Sequence, residues 1–407
     1  MSTQTDFERR YAELVVRIGA NVQPGQTVIV LAAPEHAPLV RAILAASWAA
    51  GAADAQTVYI DEVESMLRVE HAADEVLDSA PVGRQKTFEW MLDAQPVEIY
   101  LDGPIFPERW EELDGARAAR VHRPRSSAPI RRRLINEGRM AWTYVGVPTP
   151  AWAASVFGEP DVARLEGAVA EAVRLDQPDP VEAWRQHLDR LAERSALLTE
   201  RAFDAVRFRG PAIELTVGLH EGHRWIGGRS TTRWGQSYCA NLPTEEVFTT
   251  PDRSRTQGHV RTTRPVSYGG VMLEDVELVF EDGRGRLVGA SAGADYVAGE
   301  LARDDGAPFL GEVALVDGDS PVGRSGLLYH SPLYDENVTS HIAYGGAYTA
   351  PVPGTDDLPP AELVARNIND SGVHTDLPIG GAEVEIVGVS KDGSETPILA
   401  GNDWILR

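Results

Sequence analysis

The residues with the most chemical content lie in the second half of the chain. His374-Thr375-Asp376 sets an imidazole and a carboxylate two positions apart. In an extended segment, side chains i and i+2 leave the same face about 7 Å apart at their Cα atoms. Three further side chains complete a metal-ligating set: Glu246 in Pro243-Thr244-Glu245-Glu246-Val247-Phe248, Glu312 in Leu310-Gly311-Glu312-Val313, and His341 in Thr339-Ser340-His341-Ile342. Two imidazoles and three carboxylates exceed what one ion usually takes from a protein. They suit two divalent ions that share ligands. Such a centre activates water, so the set points to a hydrolase.

Each of these residues also has a plainer reading. An H-x-D triplet alone is a pair of polar side chains on one face. Glu246 alone reads as a strand-surface carboxylate, with Glu245 as its solvent-facing neighbour. Glu312 is sharper, because it interrupts the apolar run Phe309 to Val316. A carboxylate buried there without a partner costs several kcal/mol, so it either faces solvent or meets a cation. After His341, the pair Gly345-Gly346 permits close backbone approach and returns Tyr348 towards the same place. His187 reads as a solvated helix residue, and His220 and His223 are the nearest rival ligands. Cys239 is the only cysteine, which excludes an internal disulfide or a thiolate metal cluster and reads as a packed thiol.

The elements that must position these residues differ between the two halves. Thr27 to Leu31, Thr57 to Ile60 and Val97 to Leu101 read as strands, with a helix over His36 to Ala50 stopped by Gly51. This βαβ rhythm predicts a parallel sheet covered by helices. The Gln177-Pro178-Asp179-Pro180 segment predicts a boundary, since each proline disfavours helix in the residue before it. A helix over Val181 to Arg201 follows. From Ala205 onward short strands alternate with Gly, Asp and Asn turns: Ile213 to Val217, a hairpin of Val276 to Phe280 with Arg286 to Val288, and a closing hairpin of Glu383 to Val389 with Thr396 to Leu399. The expectation is an α/β chain, with an N-terminal α/β domain over residues 1–178 and a larger, β-rich α+β metal-binding domain over 179–407.

Composition narrows the function. The 407 residues carry 43% hydrophobic and 24% charged side chains, as soluble globular proteins do. The formal net charge of -23 argues against nucleic-acid partners and against docking on an anionic membrane. The first twenty residues lack the apolar core of a secretory signal, and no window approaches the length of a membrane span, so a cytoplasmic protein is expected. No G-x-S-x-G elbow, P-loop, H-E-x-x-H or C-x-x-C is read in the chain, and no dinucleotide fingerprint follows Thr27 to Leu31.

At its metal-ligating residues the chain resembles the aminopeptidase T and aminopeptidase S family of bacterial dinuclear metallopeptidases. The likeness begins at Tyr11 to Val16 and the Val22-Gln23-Pro24-Gly25-Gln26 turn. It continues through Pro148 to Ala153 and Asn241 to Thr249, and ends with Asp335 to Tyr348, Asn369 to Gly380 and Trp404. The resemblance implies that Glu246, Glu312, His341, His374 and Asp376 are metal ligands and that Tyr348 is an active-site tyrosine. It also implies a homodimer acting on peptides with a free N-terminus. Leu377-Pro378 departs from the bulkier apolar pair expected after the H-x-D, which bears on pocket shape.

The expected reaction is removal of N-terminal residues by water activated between two divalent ions per subunit, zinc or cobalt ahead of manganese or magnesium. Glu312 is the expected proton carrier, and Tyr348 the donor to the developing oxyanion. A rival reading takes His341, His374 and Asp376 as the two-histidine, one-carboxylate triad of a mononuclear Fe(II) ring-cleaving dioxygenase. Glu246 and Glu312 discriminate, because that site does not need them. A non-catalytic metal- or peptide-binding protein is the third reading.

Overall fold

Val28 to Ala32 are buried on both faces of their strand, and such a run belongs in the middle of a parallel sheet. In the computed structural model, which describes residues 5–407 apart from 78, 80, 107–108, 111, 123–130, 132, 136, 269–270 and 357, that is where it lies. Strand β1 (Thr27–Ala32) is flanked by β2 (Asp54–Tyr59) and β3 (Val97–Asp102). Beyond β3 come β4 (Ala141–Gly146) and the short β5 (Asn241–Leu242), all parallel, in the order β5-β4-β3-β1-β2. Helix α1 (Ala37–Ala49) makes the crossover from β1 to β2. Gly51, at φ +90°, turns the chain out of it.

The chain forms two compact units, one of Met1–Gln186 with Arg229–Leu242, the other of His187–Gly228 with Pro243–Arg407. The division falls inside helix α2 (Pro180–Arg201), eight residues beyond the boundary expected at Pro178. The first turns of α2 are tied to the first unit by Trp184, whose buried indole donates to the Val173 carbonyl at 2.7 Å. Arg229–Leu242 joins the same unit because β5 pairs with β4.

The second unit is built on antiparallel sheets, as the turn-rich sequence predicts. One has eight strands and contains the expected hairpins as Glu277–Glu281 with Arg284–Gly289 and Glu385–Val389 with Glu395–Ala400. The other has five: β6 (Glu246–Thr249), β7 (Leu310–Val316), β8 (His341–Gly345), β9 (His374–Pro378) and the two-residue strand Ile226–Gly227. Their order is β9-β8-β7-β6 followed by Ile226–Gly227. A single apolar core joins Phe208, Leu215, Val217 and Phe280 of the larger sheet to Val313, Leu315, Ile342 and Leu377 of the smaller one. The fold class is therefore the mixed one expected, a parallel α/β sheet plus larger antiparallel sheets.

Candidate metal centre

Register and alternation decide which side chains share the free face of the five-stranded sheet. Val313, Leu315, Ile342 and Leu377 point into the core, so their neighbours in sequence point the other way. Glu246 pairs with Val316, Phe248 with Ala314, Ala314 with His341, Ala343 with Asp376 and Gly345 with His374. Glu246, Glu312, His341, His374 and Asp376 thus all project from one face, although up to 130 positions of sequence separate them. The same face of the sheet also carries Phe248, Ala314, Ala343 and Gly345. Gly345 is fixed by geometry, since it sits at φ +104° and a Cβ there would lie 2.2 Å from the Val373 carbonyl oxygen.

The five side chains form two overlapping triads, Glu246-Glu312-His341 and Glu312-His374-Asp376, with the ligating atoms of each within 4.8 Å of one another. His341 Nε2 is 3.2 Å from Glu246 Oε2, 3.8 Å from Glu312 Oε1 and 4.0 Å from Asp376 Oδ1. His374 Nε2 is 3.6 Å from Glu312 Oε2 and 3.4 Å from Asp376 Oδ1. Among the described residues no Lys or Arg pairs with Glu246, Glu312 or Asp376. Glu246 Oε2 is buried and, despite its nearness to His341, meets no partner in hydrogen-bond geometry. A buried carboxylate oxygen in that state calls for a cation.

The electrostatics agree. Burial lifts the Glu312 carboxyl to about 7, and the Glu246 charge adds to this against the bond from His341. Burial alone would lower both imidazoles, but the carboxylates override it: His374 rises to about 9 beside Asp376, and His341 rises well above its ordinary value beside Glu246 and Glu312. Burial would raise Asp376, yet His374, His341 and the Tyr268 hydroxyl hold it down to about 2. In the metal-free protein the imidazolium groups therefore stand in for cations.

Surrounding groups aim these side chains. His374 Nδ1 lies 2.8 Å from the Gly346 carbonyl, which directs Nε2 at the carboxylates. The Tyr268 hydroxyl donates to Asp376 Oδ2 at 3.0 Å and accepts from the Asp376 amide at 2.7 Å. Tyr348 lies edge-on to His374, ring centroids 5.4 Å apart, and to Phe248 at 5.7 Å. Burial and the nearby carboxylates push its phenol far up, so it stays a hydrogen-bond donor at neutral pH.

Two sequence expectations are overturned. Glu245 does not face solvent: it is 4% exposed, and its carboxylate lies 3.4 Å from Nε2 of His187. Nor is His187 solvated, being 3% exposed with Nε2 also 2.8 Å from the Thr244 carbonyl. Alternation does turn Glu245 away from Glu246, but the opposite side of β6 is covered too, so the acid meets an imidazole instead of water. His220 and His223 are not in the centre; His220 lies against the Glu221 and Arg366 carbonyls, and His223 against that of His220. Cys239 is buried, its thiol donating to the Asn241 carbonyl. Gly289-Ala290-Ser291-Ala292-Gly293 does spell the G-x-S-x-G of a nucleophile elbow, which the sequence reading passed over. Ser291 is engaged otherwise, its hydroxyl donating to Asp275 Oδ2 at 2.6 Å.

Sequence reasoning also missed Glu336. Its carboxyl is raised by burial and then by Asp376 and Glu246, so it shares their field. Beside it Asn337, fully buried, accepts the Glu245 amide at 2.7 Å and donates to the Leu333 carbonyl at 2.9 Å, tying this turn to the start of β6. The signal was a pair of acids six and five residues before His341.

Known proteins resemble this chain along nearly its whole length. Aminopeptidase 2 from Geobacillus stearothermophilus is 37% identical over 400 residues, which cover 97% of each protein. Aminopeptidase T from Thermus thermophilus is 37% identical over 403 residues, 98% of each. A solved structure of wild-type AmpT from Thermus thermophilus superposes with a TM-score of 0.88 at 35% identity, covering 98% of this chain and 99% of that one. The 2,5-dihydroxypyridine dioxygenase of Pseudomonas putida KT2440 shares the fold at a TM-score of 0.53 and 11% identity, over 100% of this chain and 99% of that one. The sequence pattern of the thermophilic metalloprotease (M29) family spans residues 5–404, and the chain belongs to that family.

Proposed function

We propose that this protein is a metal-dependent aminopeptidase that removes N-terminal residues from peptides. The observation that carries the reading is the pair of triads that share Glu312. Glu246 and His341 would hold one divalent cation with Glu312, and His374 and Asp376 would hold a second with the same carboxylate. The chemistry such cations would supply there is polarisation of a peptide carbonyl and a lowered pKa for bound water.

The protein's own residues do the rest. Glu312, between the two triads, carries the proton from the attacking water to the leaving amine. Tyr348 donates to the oxyanion that develops on the carbonyl oxygen. The excess of carboxylates over imidazoles favours a protonated amine at the approach to the centre, which suits a free N-terminus over an interior bond. Mixed imidazole and carboxylate ligands suit zinc or cobalt, with manganese and magnesium behind. No helix among the described residues is long and apolar enough to cross a membrane. A cytoplasmic homodimer completes the proposal, the dimer resting on family likeness.

Glu246 and Glu312 weigh against a mononuclear iron oxygenase, since a facial triad would leave both buried without a cation. A metal count on the purified protein, paired with hydrolysis of leucyl and arginyl chromogenic amides, tests the reading. Two divalent ions with amide hydrolysis are expected. One iron per chain with no amide hydrolysis would overturn it.

A further inference from the structure

We propose that Glu300 is a positioning residue for the metal centre, acting from the opposite side of the sheet through Thr375; this rests on the metal-centre reading above. Glu300 lies on helix α3 (Ala294–Leu301) and is 7% exposed. One of its oxygens, Oε2, accepts the Thr375 hydroxyl at 2.6 Å and the Tyr344 hydroxyl at 3.0 Å. Tyr344 and Thr375 face each other across β8 and β9, while the pairs on either side are Ala343 with Asp376 and Gly345 with His374. A single carboxylate oxygen therefore ties the two strands together directly behind the two ligands of the H-x-D triplet.

Two features make that tie consequential. Strand β9 is at the edge of its sheet, so β8 is its only ladder partner among the described residues, and yet β9 carries two of the five candidate ligands. The neighbouring β7–β8 ladder shifts register between Leu310 and Glu312, so β8 itself is not held by an ideal ladder. An edge strand on an irregular neighbour needs another restraint if His374 and Asp376 are to stay aimed at Glu312. Glu300 supplies it through charge-assisted bonds, which are shorter and stronger than neutral ones. The chemistry also argues for a role. Tyr344 otherwise belongs to the apolar core, and a buried polar network there gains no stability over apolar groups of the same shape. What Glu300 adds is position.

The test measures binding of Co²⁺ alone to metal-free protein, by chelator competition and by its visible absorption, alongside thermal unfolding of each metal-free variant. E300A is expected to weaken one of the two Co²⁺ equivalents by about tenfold or more, the range seen when groups that orient metal ligands are removed. E300Q, which keeps an acceptor oxygen, restores part of that loss. T375V reproduces the loss, and the E300A/T375V double variant is no weaker than E300A. A folded E300A that binds both equivalents with wild-type affinity and spectrum overturns the proposal, as do losses that add in the double variant. Should E300A not fold, T375V decides: wild-type affinity there overturns the proposal, and a tenfold loss supports it. Wild-type protein that takes up no Co²⁺ overturns the metal-centre reading itself, and the positioning role with it.

Discussion

Both units bury carboxylates, and Glu98 of the first is held differently from the Glu246-Glu312-Asp376 cluster of the second, although Glu98 Oε2, like Glu246 Oε2, has no hydrogen-bond partner among the described residues. In the parallel-sheet unit Glu98 on β3 is fully buried, and its Oε1 receives Arg131 through Nε at 3.0 Å and Nη2 at 2.9 Å. In the second unit Glu246, Glu312 and Asp376 are buried together with no Lys or Arg partner among the described residues. Burial lowers His36 of the first unit to about 4, and lowers His223 and His330 of the second as well, whereas the clustered carboxylates raise His341 well above its ordinary value. A buried charge that brings its own counter-ion is part of the scaffold. A cluster that lacks one is built to receive a cation from outside.

Breaking the contrast at the second unit has the largest expected effect. D376A and E246A each remove a carboxylate from one triad, and we expect loss of retained metal with a fall in turnover on the order of 10³-fold or more. Metal content after gel filtration and amide hydrolysis measure both; full activity with two retained ions in either variant would exclude the assignment. Y348F leaves the ligands alone, so metal content should stay at the wild-type value while kcat falls about 10²-fold, near 3 kcal/mol of transition-state stabilisation. A fall in metal content in Y348F would make the tyrosine a ligand-shell residue and not an oxyanion donor.

The mirror experiment in the first unit is E98A. It removes the carboxylate that meets Arg131, whose guanidinium also lies over the Trp142 ring, 5.2 Å from its centroid. Removing one partner of a buried pair costs about 3–5 kcal/mol, and the lower end applies because Arg131 keeps a third of its side chain in solvent. Denaturant unfolding should show that loss, with metal content and kcat within about twofold of wild type. A variant that sheds its metal instead would erase the distinction between the two units.

The sequence carried this contrast unevenly. Glu312 was readable because an acid in an apolar strand raises its own question, and β7 did prove buried along its length. The strands and the α1 crossover followed from apolar runs and from Gly51. Glu245 and His187 were misread because alternation fixes direction but not what lies in that direction; covering of both faces of β6 is a tertiary fact. Glu336 stayed hidden in a short turn, where no periodicity indicates which of two adjacent acids feels the charge of Asp376 and Glu246. Register explains why the five candidate ligands converge, and register between strands 60 residues apart is not written in either strand alone.

The smallest expected effect is a pH dependence that belongs to the first unit. His36 is buried, with Nδ1 3.4 Å from the Ala33 amide, which donates to it, and Nε2 3.3 Å from the Gly103 carbonyl. Nδ1 therefore has to stay unprotonated for this arrangement to persist. Burial lowers the folded value to about 4, against the pull of the Gly103 carbonyl, from the 6.5 of the free side chain. The unfolded chain thus takes up the proton first as pH falls. The stabilisation is complete above pH 6.5 and is lost progressively on the way to pH 4, amounting to about 2 kcal/mol by pH 5. His36→Asn removes the titration, so its unfolding free energy should fall about 2 kcal/mol less than wild type between pH 7 and 5. Parallel curves for the two proteins would mean that His36 is protonated in the folded state, and that burial in this unit does not keep its ionisable groups neutral.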